Sequence, residues 1–70
     1  MSKSIIMEIR NKIIAKYNLD KTQSTSMLFK KVIKIEPSKR AIILRIEYLL
    51  NKEALESQDI KSLLYLTEKL

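Results

Sequence analysis

Two apolar periodicities meet at a proline in residues 28–50, LFKKVIKIEPSKRAIILRIEYLL. Apolar residues recur three and four positions apart on both sides of Pro37, which is the spacing of one face of an α-helix. Proline breaks a helix interior but is tolerated in a first helical turn. Pro37 at such a position, or Ser38 as an N-cap, therefore starts a new helix. The segment predicts two helices joined by a tight corner at residues 36–38.

Two further helices are predicted outside this pair. Residues 4–17 carry apolar side chains every four positions, and another helix begins near residue 57. The two central helices extend over residues 21–35, with a later start near residue 24 as an alternative, and over residues 38–51. The chain has no glycine and one proline, so little interrupts helices. We expect a single all-α domain over residues 1–70, folded as a compact bundle of three or four short helices.

Local signals predict where the helices end and begin. Asn18 is suited to a left-handed residue that ends the first helix, with Leu19 folding back as its hydrophobic contact. Asp20 followed by Gln23 has the pattern of a capping box for the second helix. Ser57 is the N-cap candidate of the fourth helix, with a favourable negative charge in its first turn.

Buried positions follow from the same spacing. The apolar stripe of the second helix includes Leu28, Phe29, Val32, Ile33 and Ile35. In the fourth helix the predicted inward side chains are Ile60, Leu63, Leu64 and Leu70, with Leu66 beside them. These stripes are expected to form one core.

The residues that the chain lacks exclude several function classes. Without cysteine, histidine or glycine there is no disulfide, no usual zinc site and no glycine-rich phosphate loop. No nucleophile has an identifiable base beside it. Glu53, Glu56 and Asp59 could hold a hard cation, but a solvated linker explains them better. We therefore expect no enzyme, no catalytic or metal-binding residue, no cofactor and no small-molecule substrate.

The small size of the chain and its hydropathy predict whether it associates with a partner and where in the cell it lies. A core of this size rarely supplies more than about 3–5 kcal/mol, which favours association with another chain, including a second copy. No run of apolar residues is long enough to span a membrane, so we expect a cytoplasmic protein. An interfacial membrane role for the second helix is a weaker alternative.

Positive charge concentrates around the proline corner. The chain carries a net charge of +6, and residues 1–35 account for it with eight basic and two acidic residues. The densest window, residues 30–45, holds six basic residues against Glu36 alone. The candidate nucleic-acid contacts are these six: Lys30, Lys31, Lys34, Lys39, Arg40 and Arg45.

This cluster suggests a ligand that carries phosphate groups. Lys39 and Arg40 lie at a helix start, where the helix dipole and the backbone N–H groups favour an anion. A tight corner with basic residues at the start of its second helix resembles the helix-turn-helix of DNA-binding proteins, an analogy of shape. No aromatic residue lies among the cations except Phe29, so a duplex is favoured over single strands. Charge that serves solubility alone is the competing explanation.

The third helix has more apolar surface than one core needs. Leu44 and Tyr48, four residues apart, point away from its core stripe. Either this helix is the central one of the bundle, or these two residues form a partner interface. The second possibility predicts an accessory or adaptor subunit that docks onto a larger protein assembly, which could itself process DNA.

Overall fold

The computed structural model describes the backbone of residues 2–70 and the side chains of residues 5–70. Over this range the chain forms four α-helices, and a short 3₁₀ turn contains the proline. The elements in chain order are α1 (Ser2–Tyr17), α2 (Thr25–Ile35), the 3₁₀ turn (Pro37–Lys39), α3 (Arg40–Leu50) and α4 (Ser57–Lys69). The predicted all-α bundle is confirmed. None of these helices is both long and apolar enough to cross a bilayer.

All four helices share one hydrophobic core. Its buried members are Ile5, Ile9, Ile13, Leu28, Phe29, Val32, Ile43, Ile46, Leu49, Leu63 and Leu70. Two residues that the spacing placed inside are instead exposed, Ile35 by 56% and Leu64 by 45%. Ile35 is the last residue of α2, after which the chain turns away, and Leu64 lies about 100° around the helix from Leu63.

A left-handed residue ends α1, as predicted. Asn18 has a φ of 55°, and the N–H of Leu19 donates to the carbonyl oxygen of Ile14 at 3.0 Å. This bond satisfies one of the carbonyl groups left open at a helix C-terminus. Leu19 then packs against the core, which fixes the direction of the following loop.

The start of α2 differs from the capping box that Asp20 and Gln23 suggested. The Asp20 carboxylate accepts the N–H and the hydroxyl of Thr22, at 2.9 and 2.7 Å. Such a local turn competes with helix formation. The N-cap is Ser24, whose hydroxyl oxygen accepts the N–H of Met27 at 3.2 Å. The later of the two predicted starts is therefore the correct one.

Arg10 of α1 forms hydrogen bonds with the loop between α1 and α2. Its guanidinium donates to the hydroxyl of Thr25 and to the carbonyl oxygens of Lys21 and Gln23, each at 3.0 Å. The planar fork of arginine suits several acceptors at once. One of the basic residues of the first half of the chain thus has a structural role.

The proline corner is held by a hydrogen bond from α1. Glu36 ends α2, and Pro37 is the first residue of the 3₁₀ turn, so the alternative that placed proline at a first helical position is the correct one. Ser38 lies inside this turn and is not an N-cap; the N-cap of α3 is Lys39. The Tyr17 hydroxyl donates to the Glu36 carboxylate at 2.5 Å. Burial, together with this bond, raises the pKa of Tyr17 to about 12. The one acidic residue of the basic window is therefore engaged by a tyrosine.

The start of α4 is fixed by Asp59 instead of Ser57. The N-cap is Glu56, and its backbone N–H donates to the Asp59 carboxylate at 3.0 Å. The Lys52 ammonium donates to the same carboxylate at 2.9 Å. These two bonds, the backbone one foremost, lower the pKa of Asp59. The shared carboxylate ties the α3–α4 loop to the first turn of α4.

Candidate nucleic-acid interface

Three lysines form the outer face of α2. Lys30, Lys31 and Lys34, here called the α2 lysine face, are all exposed. They are directed outward because Leu28, Phe29 and Val32 occupy the opposite side of the helix and are buried in the core. Within the part of the chain that the structure describes, none of the three makes a hydrogen bond or an ion pair.

The surroundings of the α2 lysine face include the Asp20 carboxylate and two exposed apolar side chains. The Asp20 pKa is lowered chiefly by its bonds to Thr22, and the charge of Lys31 lowers it further. Met27 and Ile35, spaced four residues on either side of Lys31, are 43% and 56% exposed. The face is thus a row of cations with apolar ends.

Arg40 is the first residue of α3 and lies next to the corner. Ser26 of α2 and Glu47 of α3 line a groove between the two helices, and neither Arg40 nor Lys30 lines it. Lys30 follows Ser26 by one helical turn, and Arg40 precedes Glu47 by about two turns, so each cation continues one rim of the groove toward the corner. Arg40 is exposed at the first residue of α3. It is therefore well placed to add a fourth positive charge to the α2 lysine face.

Lys39 belongs to a different cluster. Its ammonium donates to the carbonyl oxygen of Lys69 at 2.6 Å, at the end of α4. Two ammonium groups of α1 donate to other carbonyls of this end, from Lys12 to Thr67 at 2.6 Å and from Lys16 to Leu70. We call Lys12, Lys16 and Lys39 the lysine clasp.

The lysine clasp has a simple physical cause. The last carbonyl groups of a helix lack intrahelical partners and carry partial negative charge, so they attract cations. The clasp residues come from α1 and from the corner, at least 30 positions in the sequence from the carbonyl groups that they contact. Only the preference of helix C-termini for cations signalled such contacts, and it does not identify which lysines make them.

Arg45 is also separate from the α2 lysine face. It lies on the side of α3 that faces α4, where it lines a second groove together with Lys61 and Tyr65. Its guanidinium carbon is 5.1 Å from the centre of the Tyr48 ring, a cation–π distance. The six candidate cations therefore divide into three places: four around α2 and Arg40, one in the lysine clasp and one at α4.

The surplus apolar surface of α3 is exposed. Leu44 is 45% and Tyr48 is 59% exposed, so the described residues do not cover this side of α3. We call the pair the α3 patch. Of the two explanations for the broad apolar arc of α3, the one that made it a central helix surrounded by the others does not apply.

The acidic residues before α4 do not gather into a cation site. Asp59 faces Lys52 and the backbone of Glu56. Among the side chains that the structure describes, no three potential metal ligands come together. Comparison with known proteins adds no assignment, because no family model, curated protein or solved structure matches the chain.

Proposed function

We propose that this chain is a small, non-enzymatic cytoplasmic protein that binds duplex nucleic acid through phosphate contacts. The contacts are the α2 lysine face and Arg40. The observation that carries the proposal is a contrast within the molecule. Arg10, Lys52 and the lysine clasp find acceptors inside the fold, whereas the α2 lysine face has none among the described residues.

The arrangement favours phosphates over base edges. Lysine ammonium groups are compact, mobile charges that suit a row of phosphates and carry no sequence information themselves. The exposed face of α3, which would read bases in a helix-turn-helix, centres on Leu44 and Tyr48. We therefore infer binding without strong sequence preference. Lys39 and Arg45 leave the set of contacts, since both are engaged elsewhere.

Binding by this face is expected to depend steeply on salt. Each cation that neutralises a phosphate releases a condensed counterion. If all four cations contact phosphates, the logarithm of the binding constant should fall with the logarithm of salt concentration with a slope of about −3 to −4. Fluorescence anisotropy of a labelled short DNA duplex, titrated at several salt concentrations, measures this slope. No binding at low salt, or a slope near zero, would refute the proposal.

The α3 patch favours a second candidate function, an accessory subunit that docks onto a larger protein. Leu44 and Tyr48 are neighbours on one helix face and both are substantially exposed. Large exposed side chains of this kind are typical anchors of protein interfaces. The patch and the α2 lysine face lie on different helices, so one molecule could use both.

Aspartate in place of Leu44 and Tyr48 is expected to abolish docking without unfolding the bundle, because neither side chain belongs to the core. The measurement is capture of partners from the native host by the tagged protein, with and without nuclease. A protein partner should survive nuclease and be lost with this double variant. A partner that the double variant retains would rule out the α3 patch, and one that nuclease releases would point to nucleic acid.

A further inference from the structure

The groove between α3 and α4 combines aromatic and cationic side chains. It is a shallow, open groove with a volume of about 320 Å³, lined by Arg45, Lys61, Ser62, Tyr65 and Leu66. Tyr65 is 59% exposed, so much of its surface is open to solvent. No lining residue is acidic. The groove therefore offers apolar surface, the hydroxyl groups of Ser62 and Tyr65, and two positive charges.

The groove continues into the α3 patch. Arg45 lines the groove and also lies over the Tyr48 ring at 5.1 Å. On the other side, the Lys69 ammonium lies 5.1 Å from the centre of the Tyr65 ring. Going from α3 to α4, rings and cations alternate in the order Tyr48, Arg45, Tyr65 and Lys69. The exposed rings of Tyr48 and Tyr65 thus belong to one continuous surface, with the positive charge of Arg45 between them.

Asp59, the carboxyl group whose pKa is lowered in part by Arg45, does not neutralise the surface. Arg45 is close enough to Asp59 to be among the charges that lower the pKa of this carboxyl group, after the Glu56 N–H and Lys52. However, Asp59 bonds to Lys52 at 2.9 Å, and its side chain is 8% exposed. A ligand in the groove would therefore meet the positive charges of Arg45 and Lys61 first.

Charge and ring geometry discriminate among the possible occupants. A second copy of this chain, with its net charge of +6, would bring like charges together. Single-stranded nucleic acid would stack its bases on the tyrosine rings, but Arg45 already lies over one face of Tyr48 and Lys69 over one face of Tyr65, which reduces the surface available for stacking. A protein segment with both carboxylates and apolar side chains complements the surface in both respects.

We propose that the α3–α4 groove, continuous with the α3 patch, docks an acidic amphipathic segment of a partner protein. The proposal rests on the docking function inferred above and specifies the chemistry of the partner. Carboxylates of the segment pair with Arg45 and Lys61. Its apolar side chains cover Leu44, Tyr48 and Tyr65, the exposed large side chains around these cations.

Three labelled synthetic peptides test the proposal. All carry leucines at helical spacing, and the remaining positions are glutamate in the first, glutamine in the second and lysine in the third. We expect the glutamate peptide to bind most tightly in fluorescence anisotropy. The R45E/K61E variant should weaken it about tenfold or more, because attraction becomes repulsion. Lys21→Glu, a single charge reversal outside both the groove and the α2 lysine face, should change its affinity far less.

The outcomes separate this proposal from the docking function itself. If all three peptides bind equally and this binding is lost when Leu44 and Tyr48 become aspartate, the proposal of an acidic partner segment is wrong. Docking by the α3 patch would then still hold. If Lys21→Glu weakens binding as much as R45E/K61E does, the groove is not the site. A third outcome would assign the groove to nucleic acid and overturn the proposal. In that case a labelled single-stranded oligonucleotide binds, R45E/K61E abolishes its binding, and the glutamate peptide does not bind.

Discussion

Glutamate in place of Lys30, Lys31 and Lys34 together is expected to abolish binding to duplex DNA at low salt. The net charge falls from +6 to zero, since each substitution removes two positive units. More specifically, the row of cations on α2 becomes a row of anions that repels phosphates. We expect affinity for the duplex to fall about a hundredfold or more, measured by fluorescence anisotropy. Helical content and the unfolding midpoint should stay near those of the parent, because all three side chains are exposed.

A charge-matched control tests whether duplex binding depends on the α2 lysine face or only on the net charge of the protein. Reversing Lys21, Lys61 and Lys69 removes the same six units from residues that lie outside α2. The control should retain most of the duplex affinity, apart from a general electrostatic loss. If the two triple variants lose affinity equally, binding reflects overall charge and the α2 lysine face has no special role.

Ile46→Ala is expected to have the largest effect on stability. Ile46 is fully buried at the centre of α3, so its truncation removes apolar contacts and leaves a cavity. Such substitutions cost about 2–5 kcal/mol. The entire folding free energy of a chain of this length is about 3–10 kcal/mol. We therefore expect the variant to be partly or largely unfolded at room temperature.

Leu44→Ala on the same helix is the matched control. Leu44 is 45% exposed, so the same kind of truncation should change the folding free energy by only about 0.5 kcal/mol. Urea unfolding followed by circular dichroism measures both variants. Equal destabilisation by the two substitutions would contradict the core as described. The control also helps the docking experiment, since it shows whether the α3 patch can be altered without loss of fold.

The sequence was sufficient to predict elements whose signals are local. The four helices follow from apolar spacing, and the end of α1 follows from Asn18 and Leu19. The corner at residues 36–38 follows from Pro37. These features depend on neighbours within about one or two helical turns, which the sequence displays directly. The errors at Asp20 and Ser57 concern choices between competing local caps, which small differences in hydrogen bonding decide.

The contacts that the basic side chains make could not be predicted from such local signals. Lys39 and Arg40 are adjacent in sequence, yet one caps α4 and the other is exposed on α3. The acceptor of Lys39 and two of the three acceptors of Arg10 are backbone carbonyls, which every residue possesses, so the sequence does not mark them. Similarly, the pairing of cations with Tyr48 and Tyr65 depends on how α3 and α4 pack. The sequence indicated no aromatic neighbours for the basic cluster, and the structure places two beside Arg45.

The lysine clasp affects the local unfolding of the C-terminal end of α4. The last turn of a helix usually frays alone, at little cost in free energy. Here it is bonded to α1 through Lys12 and Lys16, and to the corner through Lys39. Leu70, just after that turn, is buried in the core. Opening this end would break contacts with two distant parts of the chain at once, so amide hydrogen exchange there should resemble that of the whole bundle, with the first and last helices separating in a single cooperative step.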